Sequence, residues 1–250
     1  MRRKKGNGIK IAAFLLVSIF TMGVMGKEVK GSSLSLIPSN GHIVAIDPGH
    51  QSKGMYEQEP IGPGSSVKKA KVASGTRGIA TGKPEYELTL EVAKKLRDEL
   101  IQRGYGVVMI RETHEVALSN KDRAEIANAS NAEIFIRLHG NGSEDTSQSG
   151  VLTLGPTKLS PYIPALYEES SRLCTNLGTQ LSLATGAKNR GIWETDTMSG
   201  INWSLKPVSI VEMGFMTNPL EDSLMASEEY QKKMATGLAN GVDAYFAMTP

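Results

Sequence analysis

The sequence predicts an α/β fold: a largely parallel, twisted sheet flanked by helices on both faces. Short apolar runs alternate along the chain with longer stretches whose apolar residues recur every three or four positions. Hydrophobic residues make up 40% and charged residues 22% of the 250, an ordinary balance for one full-sized core. Three of the apolar runs end at a His or Glu followed by small or apolar residues, and sites in open α/β sheets form at the carboxyl ends of strands.

The first element is a targeting segment. Arg2, Arg3, Lys4 and Lys5 precede an apolar stretch over 11–25, long enough for a signal core and short for a membrane span. Val24-Met25-Gly26 offers a small-residue cleavage site, so 1–26 reads as a signal peptide or an uncleaved membrane anchor. Either way the protein is expected to be exported, secreted or held at the membrane. Residues 27–40, with four serines and Pro38, read as a linker, and 41–250 as one domain.

Within that domain 43–46 is a buried strand ending at Asp47-Pro48-Gly49-His50. Pro84 opens a helix carrying Leu88, Val92, Leu96 and Leu100, stopped by Gly104. Strands follow at 105–110 and 134–138, separated by a helix over 122–129, and 151–154 is a further candidate strand. A long helix spans 164–184. The last strand, 208–211, ends at Glu212-Met213-Gly214-Phe215. Asn218-Pro219-Leu220-Glu221 has the form of a helix start, and Ser227 caps a final helix reaching Phe246.

Composition excludes some functions. The net charge of +2 is small and four of the basic residues sit in the N-terminal run, so no nucleic-acid partner is expected. Cys174 is the only cysteine, which rules out an internal disulfide; its spacing from Leu173, Leu177 and Leu181 makes it a buried thiol.

His50, His139 and Glu212 each stand where a strand runs out. Two imidazoles and a carboxylate with one open position is a pattern of catalytic zinc. The other two histidines, His42 before its strand and His114 in a polar turn, read as surface residues. The third ligand should be a carboxylate in the first turn of the helix after Pro84, and spacing alone leaves Glu85 and Glu87 both open. Side chains alternate along a strand, so Phe135, Arg137 and His139 share one face. A buried guanidinium needs an acid. Glu212 or a substrate carboxylate is the candidate near the site, and Glu125 or Glu133 the candidate for a purely structural pair.

The run Val44-Ala45-Ile46-Asp47-Pro48-Gly49-His50, Glu85 ahead of Leu88 to Leu96, the run 134–141, and Val211-Glu212-Met213-Gly214-Phe215-Met216-Thr217-Asn218-Pro219 together resemble the zinc-dependent N-acetylmuramoyl-L-alanine amidases of bacterial cell walls. The resemblance covers nearly all of 41–246. It implies a six-stranded α/β domain with Zn2+ on His50, Glu85 and His139, and Glu212 as catalytic carboxylate; aligning the helix on its apolar positions favours Glu85 over Glu87. It implies peptidoglycan as substrate and hydrolysis of the amide between N-acetylmuramic acid and L-alanine. Asp47 and Asn141 would orient ligands from behind, or Asp47 only closes the turn before Pro48.

The chain departs from the family pattern in three places. The stretch 51–83 is expanded and rich in Gly and Pro, Arg137 replaces a common Ser, and Asn202-Trp203 replaces a more aliphatic segment. Two other readings remain: another zinc peptidase of the wall, and a non-catalytic wall-binding protein. No His-Glu-x-x-His occurs and Lys53 stands three residues after His50, so the common peptidase signatures are missing. A non-catalytic relative should have lost a ligand or Glu212, and none is lost.

Overall fold

The apolar runs pair as strands and the amphipathic stretches wind as helices, in the order β1 (Ile43–Pro48), β2 (Met55–Pro60), β3 (Lys68–Val72), α1 (Glu85–Gln102), β4 (Gly106–Met109), α2 (Asn120–Ala129), β5 (Ile134–Asn141), β6 (Val151–Gly155), α3 (Tyr167–Thr185), β7 (Asn189–Glu194), α4 (Ser199–Asn202), β8 (Val208–Phe215), α5 (Pro219–Met225) and α6 (Glu228–Ala247). This computed structural model describes residues 38–247. The expected targeting segment 1–26 and nearly all of the 27–40 linker lie outside the described residues.

Six strands form the central sheet in the order β4-β1-β5-β8-β6-β7. The first four are mutually parallel; β6 runs antiparallel to β8, and β7 is parallel to β6. Strands β1 and β5 are buried on both faces, which is why they read as unbroken apolar runs. Ile134, Ile136 and Leu138 face the core built with α1, α3 and α6. Ala45, Phe135, Val208 and Ile210 face a smaller core closed by α2 and α4. The sequence reading placed helices on both faces and described a largely parallel sheet, and the structure agrees.

The structure departs from the reading in three places, one of them the short helix α4, which was not foreseen. Edge strand β7 was not foreseen. The stretch 51–83, expected as an expanded loop, folds partly into the antiparallel hairpin β2–β3. The hairpin is docked: Trp203 Nε1 donates to Pro60 O at 3.0 Å, Asn120 Nδ2 to Lys71 O at 2.9 Å, and Tyr162 Oη to Ser65 Oγ at 3.1 Å. The Trp203 departure and the expanded stretch are therefore one feature.

Local signals at helix ends hold. Gly104, at φ 87°, follows the α1 C-cap in the left-handed region that glycine tolerates. Asn218 accepts from the N–H groups of Leu220 and Glu221, and Ser227 Oγ from that of Tyr230. Glu221 does not return to its own cap; it accepts from Gly150 N and Phe215 N instead. The long helix opens one turn late, after a 3-10 turn at Pro164–Leu166.

Helices α3 and α6 approach closely because α6 presents glycines to α3. A Cβ on Gly241 would lie 2.8 Å from Leu177 Cα and 3.1 Å from Asn176 O. Those are backbone atoms, which cannot swing aside. Gly241→Ala should therefore destabilise by about 1–2 kcal/mol, overpacking outweighing the better helix propensity of alanine. Calorimetry should show Tm lowered by a few degrees; an unchanged or higher Tm would mean the seam has slack.

Candidate metal centre

Strand β1 ends at Pro48, and the chain then turns sharply through Gly49 into His50. His50 has φ 59°, the only non-glycine with positive φ among the described residues. That conformation costs on the order of 1–2 kcal/mol, so something must hold it. Two buried arginines do. Arg111 donates to the carbonyls of Pro48 at 2.8 Å and Gly49 at 3.0 Å. Arg123 donates to Pro48 O at 2.9 Å and His50 O at 2.8 Å. Gly49 must lack a side chain because a Cβ there would overlap the His139 ring.

His139 and Glu212 lie inside β5 and β8, as register partners across the two strands, and His50 stands just beyond β1. Glu85 is the first residue of α1. Its Oε2 accepts from Thr76 N at 2.7 Å and its Oε1 from Gly140 N at 3.0 Å, so the loop before α1 and the end of β5 fix the carboxylate. His50 Nδ1 meets Ala73 O at 2.8 Å, which makes it the protonated nitrogen and leaves Nε2 as the lone pair.

These placements bring three donor atoms together. His50 Nε2 and His139 Nδ1 each lie 3.1 Å from Glu85 Oε1 and 3.1 Å from one another. Among the described residues this trio is the one His/Cys/Asp/Glu group whose donor atoms converge as metal ligands do. Glu87 stays outside it. Burial pushes the Glu85 carboxyl up, but its contacts with the His139 and His50 rings prevail and hold it well below the usual carboxylate range. Burial, with the neighbouring His50 and against the pull of Glu85, lowers His139 to about 4, so its ring is neutral at pH 7 with a lone pair to offer.

Glu212 differs from Glu85 in environment. Its Oε2 is buried with no hydrogen-bond partner among the described residues. Burial first, then the charge of Glu85, raises its carboxyl to about 8. Two carboxyls near one site, one held ionised and one able to keep a proton, is an arrangement suited to acid–base work.

The residues named more loosely from sequence fall elsewhere. Asp47 does not touch a histidine. Fully buried, it accepts from Arg123 Nη1 at 2.7 Å and Arg137 Nε at 2.8 Å. Arg137 accordingly pairs with Asp47, and donates to Asn120 Oδ1 at 2.8 Å, rather than with Glu212, Glu125 or Glu133. Asn141 turns its side-chain oxygen back to Gly142 N and makes no hydrogen bond to the trio. His42 stays half-buried against Phe246 and Glu133, away from the site, and His114 packs on Tyr86. Cys174 is buried, its thiol pushed up to about 11 by desolvation. Sequence reasoning missed Arg111 and Arg123. The available signal was that Arg123, Ala124 and Ala127 occupy one buried stripe of α2.

The Amidase_3 family model, described as N-acetylmuramoyl-L-alanine amidase, matches residues 44–244. The uncharacterised protein YqiI of Bacillus subtilis is 31% identical over 170 residues, covering 67% of this chain and 77% of that one. The N-acetylmuramoyl-L-alanine amidase Rv3717 of Mycobacterium tuberculosis is 28% identical, covering 86% and 92%. Among solved structures, the amidase Ami1 of Mycobacterium smegmatis superposes with TM-score 0.75 at 25% identity, over 84% of this chain and 98% of that one. An N-acetylmuramoyl-L-alanine amidase of Clostridium difficile 630 gives 0.68 at 28%, over 85% and 100%.

The Asp47 cluster sets a pH expectation. Burial raises the Asp47 carboxyl, yet the charges of Arg123 and Arg137 outweigh it and hold it at about 2, below its ordinary 3.8. A depressed carboxyl stabilises the fold above the ordinary value, and that stabilisation is lost as pH falls from about 4 towards 2. Asp47→Asn should cost about 3–5 kcal/mol at pH 7 by leaving buried guanidinium charge uncompensated. Urea unfolding at several pH values should show the gap to the parent narrowing, without closing, as pH falls from about 4 towards 2. A gap independent of pH would mean the carboxylate charge is not what stabilises the cluster.

Proposed function

Because this chain belongs to the Amidase_3 family of N-acetylmuramoyl-L-alanine amidases, it hydrolyses the amide joining N-acetylmuramic acid to L-alanine in peptidoglycan, and we propose that it does so with zinc on His50, Glu85 and His139 and with Glu212 carrying the protons. The observation that carries this reading is the triangle of donor atoms with 3.1 Å edges. Ligands on a tetrahedral zinc with bonds of 2.0–2.1 Å stand about 3.3 Å apart, so the ion fits with little movement. Bound there, zinc supplies a Lewis acid that acidifies water and polarises a carbonyl.

The chain's own groups do the rest. The Ala73 carbonyl and the Thr76 and Gly140 amides keep His50 and Glu85 aimed inward. With a cation on the trio to offset burial and the charge of Glu85, the Glu212 carboxyl would be ionised, and its unpaired oxygen would take the proton of the attacking water and return it to the leaving amine. Residues 1–26 fit the same reading as the segment that exports the enzyme to the wall. Among the described residues no helix is long and apolar enough to cross a membrane.

Metal analysis paired with mass spectrometry of digested muropeptides tests the assignment. His50→Ala, His139→Ala and Glu85→Ala should lose zinc, whereas Glu87→Ala keeps it. Glu212→Gln should keep zinc and lose about two to four orders of magnitude in turnover. Parent-like cleavage by Glu212→Gln would remove Glu212 from the mechanism, and zinc loss confined to Glu87→Ala would move the third ligand.

The hairpin β2–β3 is read as a wall of the substrate groove, because Lys69 and Ala70 line the cavity that also holds His50, His139 and Glu212. Deleting 56–71 while keeping Ala73 to Thr76 should raise KM on intact peptidoglycan and leave zinc content unchanged. Parent kinetics on intact wall would make the hairpin a passive insertion.

A further inference from the structure

Beneath the metal centre the charges do not balance. Arg111, Arg123 and Arg137 are each at most 3% exposed. Of all their hydrogen-bond and ion-pair partners, Asp47 alone carries a charge. The remaining partners are carbonyls, amide oxygens and the Thr89 hydroxyl. Three guanidiniums share one carboxylate, and buried charge left without a counterion is costly.

Only Arg137 of the three opens onto the cavity beside the trio, a space of about 210 Å³ that Lys69 also lines from the hairpin. Its Nε and Nη2 are committed to Asp47 and Asn120; among the described residues no acceptor meets Nη1. That nitrogen lies against Gly200, where any side chain would overlap the guanidinium. The cavity is thus lined both by His50, His139 and Glu212 and by a fixed guanidinium donor and a lysine.

We propose that Arg137, assisted by Lys69, forms an anion subsite for the free α-carboxylate of the stem residue that follows L-alanine. The substrate identity rests on the amidase reading above; the subsite rests on the charge imbalance and the open donor. The spacing agrees. Arg137 precedes His139 by two residues on the same strand face, about 7 Å along β5. In the stem, the residue after alanine is a glutamate linked through its γ-carboxyl, so its α-carboxyl hangs free or is capped as a carboxamide. That carbon lies two residue rises, also about 7 Å, from the scissile carbonyl carbon. A carboxylate there would accept charge-assisted bonds that a carboxamide cannot equal.

The decisive probe is a pair of dipeptides, L-alanyl-D-glutamate and L-alanyl-D-isoglutamine, each blocked at the γ-carboxyl as the methylamide. Calorimetry on the parent protein should show the free acid binding about tenfold tighter or more. Arg137→Met should bring the ratio to within about twofold of unity, Arg137→Lys should restore part of it, and exposed Lys69→Met should lower it without disturbing the fold. Equal affinities in the parent overturn the subsite whether or not any variant folds, as does full discrimination by Arg137→Met. Cleavage of the matching muropeptides by zinc-supplemented protein separates the two claims. Cleavage of acid and amide at equal kcat/KM overturns the subsite and leaves the amidase standing; discrimination in dipeptide binding without cleavage sustains the subsite and overturns the amidase.

Discussion

The carboxylate of Asp47 is the contact on which the rest of the site depends. It sits inside the sheet with no access to water and joins two arginines from different elements, Arg123 of α2 and Arg137 of β5. Removing a charge from water is expensive, and the attraction of two guanidiniums is what makes the burial tolerable. Once anchored, Arg123 has its second nitrogen available for His50 O and the Gln51 side chain. The αL turn that aims His50 is thus held from behind by a charge network three residues earlier in sequence. Asp47 neither grips a ligand nor simply closes a turn; it acts through arginines.

The same arrangement explains why the donor atoms are so evenly spaced. Each ligand arrives from a different backbone environment: a strained turn, a helix start and a strand interior. Rings and carboxylate meet only because the intervening positions are empty of side chains. A Cβ at Gly49 would overlap His139, and one at Gly75 would come within 3.0 Å of both Glu85 and His50. Backbone amides and carbonyls supply the outer hydrogen bonds, so substitution at Thr76 or Ala73 leaves those particular contacts in place.

Much of this was legible in the sequence, and the reasons differ by element. Strands β1, β5 and β8 are buried on both faces and announce themselves as apolar runs, so His50, His139 and Glu212 could be placed at the same end of one sheet. Glu85 needed the family resemblance, since a helix-start carboxylate has an adequate reason to exist without a metal. The hairpin β2–β3 and edge strand β7 stayed hidden because they are mostly exposed and lack apolar alternation. Strand alternation puts Arg137 on the ligand face, but nothing in the sequence points its guanidinium to Asp47 rather than to a glutamate. The pairing with Asp47 follows from strand register, Asp47 lying opposite Arg137, which a single sequence does not reveal. Arg111 and Arg123 were invisible for a related reason: charged residues are read as solvated unless something marks them as core.

The bond from Trp203 to the hairpin has a consequence for how this enzyme can be altered. Trp203 follows α4 and reaches Pro60 at the end of β2, some 140 positions back in the chain. The indole N–H has its acceptor only while the hairpin is present, and the hairpin keeps that tether only while the indole is present. The two therefore form a unit of inheritance: a graft of the hairpin onto a shorter relative carries its posture with it only when the tryptophan travels too.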